Sequence, residues 1–370
     1  MKKRFFERTN AETSLLGFGC MRFPVHEDGT INEELTFKML DKAYEQGVNY
    51  YDTAYTYHEG TSEIVLGKWL QTKPRESLYV VTKSPMWNIK KPEDFDAILD
   101  EQLQKLQVDY IDFYLMHCLD QEKWEMIQNF KLLERAEAAR KAGKIKRLGF
   151  SFHDEYPVFK EILNAHEWDF CQIQFNYMDT DVQAGLKGYE LAKSKGIPMV
   201  IMEPVKGGQL ANVPDEIKEV FQSMHPTWSD ASWALRFVAS FENIYCVLSG
   251  MSDMAQVEDN LNTFHEFEPL SKSEMEVIAQ AKQLFDARVQ VPCTGCRYCM
   301  PCPFGVDIPK NFRILNNACI YNRMERGKKQ YASLEGKSEL CQKCGACMVQ
   351  CPQHIQIPDM LEKVTEQLSK

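Results

Sequence analysis

Eight of the thirteen cysteines fall into two matching runs in the last eighty residues. The first is Cys293, Cys296, Cys299 and Cys302, followed by Pro303; the second is Cys341, Cys344, Cys347 and Cys351, followed by Pro352. Each run closes on the same apolar tail, Val306, Ile308, Pro309 in one and Ile355, Ile357, Pro358 in the other. Equivalent cysteines lie 48 residues apart for the first three and 49 for the last, so this is an internal repeat. Three thiolates at steps of three, then a Cys-Pro, suit the corners of a [4Fe-4S] cubane. Zinc takes two CxxC pairs and leaves a third, equally spaced cysteine without a place. Disulfides need an oxidising compartment, and the opening MKKRFFERTN has no apolar export segment. The pattern therefore predicts two [4Fe-4S] clusters on these eight cysteines.

A second set of residues is scattered in sequence and alike in placement. Asp52, Lys83, His117, Ser151 and Gln172 each stand at the end of a separate apolar run, and Tyr57 follows the first of them closely. A carboxylate, an amine, a phenol and an imidazole on one rim suit carbonyl reduction or its reverse. The phenol gives a proton to a growing alkoxide, and a neighbouring ammonium favours its phenolate form. The carboxylate holds the amine charged, the imidazole completes the donor pocket, and a nicotinamide supplies the hydride. Singly, each residue has a plainer reading: Asp52 a turn or cap, His117 a buried histidine, Lys83 a surface charge, Tyr57 loop packing. Their joint placement argues against those readings.

Stepping outward, short apolar runs alternate with amphipathic stretches over the first 290 residues, as repeated βα units do. Strands are expected at 48–52, 79–82, 111–117, 147–151, 170–174, 198–202 and 244–248. Helices are expected at 33–45, 95–106, 128–142, 186–195 and 229–240. With the Gly-rich segment 16–19, these runs predict a (β/α)8 TIM barrel over residues 1–290, whose strand ends converge on one active face. No GxGxxG follows the first strand, which weakens a doubly wound nucleotide fold. Residues 291–370 form a small, mainly α-helical domain around the two clusters, with thin apolar content and reliance on metal. Cys20, Cys118, Cys171, Cys246 and Cys319 have no spacing partners and read mostly as buried small side chains.

These stretches resemble the aldo-keto reductases: YYDTAYTY (50–57), VVTKS (80–84), FYLMHCLD (113–120), GKIKRLGFS (143–151), CQIQFNYMD (171–179), EPVKGGQL (203–210), WALRF (233–237) and SGMSDMAQVEDN (249–260). The C-terminal extension resembles the branch of that family with a ferredoxin-like dicluster domain. The resemblance implies Asp52, Tyr57, Lys83 and His117 as the catalytic tetrad, with Tyr57 as general acid-base. It implies Ser151 and Gln172 at the nicotinamide carboxamide, and Pro204, Val205 and Gly208 near the pyrophosphate. Gly250, Ser252, Gln256 and Asn260 would grip the adenosine end. Met202 stands where many members stack a tyrosine on the nicotinamide, and Glu203 where a serine is common. The adenosine segment lacks the basic residues that a 2′-phosphate wants, and Asp253 adds negative charge, so NADH is expected over NADPH. Lys206 is the alternative source of a cation. Relative to ferredoxins, the first run has two residues rather than three before its final Cys-Pro, which makes Cys302 the odd ligand. The dicluster pattern groups Cys293, Cys296 and Cys299 with Cys351, and Cys341, Cys344 and Cys347 with Cys302.

Net charge of −10 disfavours nucleic acid as a partner, and no apolar stretch has membrane length. A reducing cytoplasm fits the cysteines. A small carbonyl or alcohol is the expected substrate. Hydride moves two electrons and a cluster one, which leaves three functional classes: a nicotinamide enzyme with structural or oxygen-sensing clusters, a ferredoxin- or flavin-linked reductase using an electron-transfer protein partner, and an electron-carrier or docking module with a weak barrel. No flavin motif is clear, and a bound flavin stays open.

Overall fold

The computed structural model describes residues 1–265 and 267–369. Among the described residues there are ten strands: β1 (Lys3–Phe6), β2 (Ala11–Ser14), β3 (Leu16–Gly19), β4 (Tyr50–Asp52), β5 (Tyr79–Ser84), β6 (Ile111–Leu119), β7 (Ile145–Phe152), β8 (Phe170–Gln174), β9 (Met199–Met202) and β10 (Ile244–Ser249). Strands β3 to β10 close into an eight-stranded barrel, each parallel to its neighbours, with β10 pairing both β3 and β9. Helices cover the outer face, so the strands are buried on both sides and read as near-continuous apolar runs such as IYCVLS. The barrel predicted from the alternation is thus present, with the Gly-rich segment as its first strand.

Large side chains fill the barrel near the strands' N-terminal ends. Tyr50, Phe113, Phe170 and Tyr245 are fully buried there, with Phe113 edge-on to Phe170 at a centroid separation of 5.2 Å. The antiparallel β1–β2 hairpin adds Ala11 to that cluster, and Tyr245 Oη donates to Ala11 O at 2.8 Å. Arg4 on β1 donates to the carbonyls of Ala239, Phe241 and Ile244.

Two local differences from the sequence reading have clear causes. The stretch 128–142 is two helices, Gln121–Asn129 and Leu132–Lys141, because Lys131 takes a left-handed conformation (φ 53°) between them. The first helix begins earlier because Asp120 caps it, accepting from Lys123 N at 2.9 Å. The expected mainly α-helical C-terminal region includes the helices Ile308–Ile320 and Met324–Ala332 between the two cysteine runs.

By internal contacts the chain forms two compact units, residues 1–211 with 231–271, and 212–230 with 272–370. The second therefore includes the helices Asp215–Met224 and Lys272–Ala287 along with the cysteine-rich region. Arg288 ties that unit together, donating to Glu216 at 2.7 Å and to Cys319 O at 3.0 Å. Its core gathers Val291, Phe312, Leu315, Tyr331, Leu361 and Val364. The repeated tails explain themselves here. Val306, Ile308, Ile355 and Ile357 are all buried, and Pro309 and Pro358 each sit in the first turn of a helix, where a missing N–H costs nothing. Among the described residues no helix is long and apolar enough to cross a membrane.

Candidate functional site

At the C-terminal end of the barrel, Lys83 and Asp52 are buried together at 1% and 2% exposure. Asp52 ends β4 and Lys83 is the penultimate residue of β5. Lys83 Nζ donates to Asp52 Oδ1 at 2.7 Å, to Thr53 O at 2.6 Å and to Tyr57 Oη at 3.4 Å. Tyr57 opens a 3-10 turn after β4 and is half-buried, and its ring meets the His117 ring edge-on at 6.3 Å. His117 lies near the end of β6, where the pairing with β7 shifts register, and Trp87 packs on it at 4.9 Å. Asp52, Tyr57, Lys83 and His117 are therefore brought together.

Burial works against the Lys83 ammonium, but Asp52 and Tyr57 outweigh it and the pKa rises; the amine is charged. Burial raises the Asp52 carboxyl, with Lys83 opposing; at 2.7 Å from a charged amine we take the pair as ionic. Tyr57 corrects the sequence expectation of a lowered phenol: burial raises it and outweighs the opposing pull of Lys83. The phenol is therefore a proton carrier at neutral pH. Burial, then the positive charge of Lys83, pushes His117 well below the ordinary imidazole range, and its Nδ1 is buried with no partner among the described residues.

Ser151 and Gln172 are paired across β7 and β8. Ser151 Oγ accepts from Cys118 N at 2.7 Å, while Gln172 Oε1 is buried without a partner among the described residues. Met202 ends β9, opposite Gln174. Pro204, Val205 and Gly208 lie on the following loop, where Gly207 and Gly208 both take positive φ. Lys206 on that loop is ion-paired to Asp179, which also accepts from Asn176 at 3.0 Å. Asn176 and Asp179 escaped the sequence reading as organisers of this loop.

Beyond β10, Ser252 N donates to Gln256 Oε1 at 2.9 Å, and Gln256 N and Nε2 donate to Asp253 at 2.8 and 2.7 Å. Asn260, on the helix Met254–His265, donates to Ser249 Oγ at 2.8 Å and is buried. Gly250 is required by a neighbour: a Cβ there would lie 2.6 Å from Cγ of Arg22. Arg22 is the basic residue beside this segment, and only long-range packing reveals it.

In the second unit the eight repeated cysteines ring two cavities. Cys293, Cys296, Cys299 and Cys351 line one, with Ile308 and Phe312 beside them. Cys302, Cys341, Cys344 and Cys347 line the other, and Cys299 borders both. Each cavity thus takes three cysteines from one run and the last from the other, the exchange the repeat implies. Burial raises Cys299 to about 11, and the nearby thiols Cys293, Cys347 and Cys296 push the same way. Crowded thiols of this kind suit a cationic centre that takes them as thiolates. Of the five remaining cysteines, Cys20, Cys171 and Cys246 are buried, while Cys118 and Cys319 are half-buried.

The fold and this rim define a barrel oxidoreductase with an appended cysteine module. The model of the aldo/keto reductase family matches residues 15–283, and a 4Fe-4S dicluster domain matches residues 292–356. The chain belongs to the aldo/keto reductase family and carries a C-terminal 4Fe-4S dicluster domain. It is similar to the aldo-keto reductase AKR11C1 from Bacillus halodurans, with a TM-score of 0.65 and 25% identity over 76% of this chain and 96% of that one. L-galactose dehydrogenase from Arabidopsis thaliana is 25% identical over 76% of this chain and 94% of its own. The NADH-specific methylglyoxal reductase of Escherichia coli is 26% identical over 57% of this chain and 69% of its own.

Proposed function

We propose that the barrel transfers hydride between a nicotinamide and a small carbonyl or alcohol, with Tyr57 as the general acid-base. The observation that carries this reading is the Lys83 ammonium, held by Asp52 at 2.7 Å and placed 3.4 Å from the Tyr57 hydroxyl. A bound nicotinamide would supply or accept the hydride. Ser151 and Gln172, level with each other on β7 and β8, would hold its carboxamide, and the buried Gln172 Oε1, without a partner among the described residues, is an acceptor open to a donor. Met202 would lie along the ring, Pro204, Val205 and Gly208 by the pyrophosphate, and Gly250, Ser252, Gln256 and Asn260 at the adenosine end. Tyr57 gives its proton to the substrate oxygen in reduction and takes one back in oxidation. Lys83 steadies the phenolate left behind. His117 is neutral and donates to the same oxygen without adding a competing positive charge.

NADH is the proposed partner in preference to NADPH. Asp253 and Gln256 are bonded to each other, Lys206 is engaged by Asp179, and the relative from Escherichia coli is named as NADH-specific. The test is carbonyl reduction by the anaerobically purified protein across a carbonyl panel, with Tyr57→Phe as control. Turnover that survives this substitution would refute the assignment.

Two [4Fe-4S] clusters are proposed on the two sets of four cysteines, one set Cys293, Cys296, Cys299 and Cys351, the other Cys302, Cys341, Cys344 and Cys347. These eight residues would supply thiolates and an apolar surround from Ile308 and Phe312. The fused module also supports a second reading, in which the clusters carry electrons between a partner protein or flavin and the barrel. Anaerobic titration with NADH separates the two: loss of cluster absorbance supports electron transfer, and an unchanged spectrum supports a structural or oxygen-sensing role.

A further inference from the structure

Against the main chain of Lys83 lies a buried polar network that the proposed chemistry does not use. Glu63, on the helix Ser62–Leu70, is completely buried, as are Thr82, Gln102 and Tyr114. Glu63 Oε1 accepts from Thr82 Oγ1 at 2.6 Å and from Gln102 Nε2 at 2.7 Å. Gln102 Nε2 also donates to the main-chain carbonyl of Lys83 at 3.0 Å, and Gln102 Oε1 accepts from Tyr114 Oη at 2.8 Å. The amide of Gln102 is thus oriented from both ends. Glu63 and Tyr114 fix which way it faces, and the group it then reaches is the backbone of the buried lysine.

The surroundings are built to allow this. Gly67, one turn after Glu63, lets its helix touch the helix Asp94–Leu106 that carries Gln102: a Cβ at Gly67 would lie 2.3 Å from Lys105 O. Packing alone does not call for the acid. Glu63 Oε2 is buried without a partner among the described residues, an arrangement that a leucine at the same place would avoid.

We infer that Glu63 is a positioning residue: through Gln102 and Thr82 it clamps the end of β5, so that Lys83 Nζ stands within reach of both Asp52 and Tyr57. The inference rests on the reading of Lys83 and Tyr57 given above. Glu63 touches no reacting atom, and its effect passes entirely through the lysine. A small loss of placement at a group that must meet the phenol at hydrogen-bonding distance is expected to lower turnover by about 100-fold.

The experiment measures kcat and KM for carbonyl reduction by the full-length, anaerobically purified protein carrying Glu63→Leu, Glu63→Gln and Thr82→Val. Each is made in the parent and in a Lys83→Met background. Glu63→Leu should lower kcat about 100-fold with KM little changed. Glu63→Gln keeps an acceptor oxygen and should recover most of that loss. Thr82→Val removes one of the two donors and should cost less, which keeps the test alive if Glu63→Leu fails to fold. In the Lys83→Met background none of the three should lower kcat further. Losses that multiply with that of Lys83→Met, or a Glu63→Gln variant as impaired as Glu63→Leu, would overturn the positioning role. A Lys83→Met variant as active as the parent would bring down the site reading itself, and the inference with it.

Discussion

At the barrel mouth the polar groups hold one another by direct hydrogen bonds, whereas in the cysteine module the chemistry-bearing side chains are thiols gathered in two sets of four. Lys83 spends its donors on Asp52, Thr53 and Tyr57, inside a barrel packed by Phe113, Phe170 and Tyr245. The second unit has a smaller core, and cysteines such as Cys296 and Cys344 are exposed at its cavities. The two regions therefore divide the work differently. In the barrel, protein packing fixes the geometry that a bound small molecule would use. In the module, a metal cluster would both complete the site and hold its walls in place. Losing one member should accordingly cost chemistry in the first region and folding in the second.

The contrast can be broken most directly at Tyr57. Tyr57→Phe should lower kcat/KM for carbonyl reduction about 1000-fold while leaving the melting temperature unchanged; a comparable fall in melting temperature would erase the distinction. Iron removal is the reciprocal measurement. Chelation of the purified protein, or Cys341→Ser, should abolish the module's own unfolding transition in a calorimetric scan and leave the barrel's in place. Iron and acid-labile sulfide should be found before chelation; zinc alone would refute the cluster assignment. The exchange of cysteines sharpens the picture further: Cys302→Ser should alter the same electron paramagnetic resonance signal as Cys344→Ser, and Cys351→Ser the same signal as Cys296→Ser.

Cofactor choice is a smaller effect. On the proposed cofactor placement, the kcat/KM ratio of NADH to NADPH should exceed about tenfold, because the exposed segment around Ser252 would offer a carboxylate where a 2′-phosphate would need a cation. If NADPH wins, Arg22 beside Gly250 is the residue to change. The smallest expected effect is on pH. His117 titrates well below its unfolded value, so folding favours the neutral ring. That stability is present above about pH 6.5 and is lost as the pH falls below it, since the unfolded chain then binds a proton that the folded one does not. The barrel's melting temperature should drop by a few degrees between about pH 6.5 and 5, and less so in His117→Gln.

Much of this was legible in the residues because it is written locally. Apolar runs marked the strands, and the cysteine spacing marked a repeat whose cross-grouping follows from how cubane ligands are shared. The rim residues were legible because a barrel brings strand ends together wherever they lie in sequence. What escaped depends on contacts between distant segments. Glu63 lies on a helix that the apolar pattern did not mark, Gln102 is one polar position on the expected helix 95–106, and only the approach at Gly67 brings the two together. Arg22 is 228 residues from Gly250 and carries no motif. The direction of the Tyr57 shift was misread because the sequence displays the neighbouring ammonium but not the depth of burial that outweighs it.

The last of the described strands in chain order, β10, is also the one that shuts the sheet, since it hydrogen-bonds β9 on one side and β3 on the other. A nascent chain halted before Ile244 leaves both of those strands with bare edges, the kind of template on which other chains add. Arg4 waits through the same interval for the Ile244 carbonyl that completes its set. Vectorial synthesis thus makes the barrel vulnerable until Ile244–Ser249 has left the ribosome.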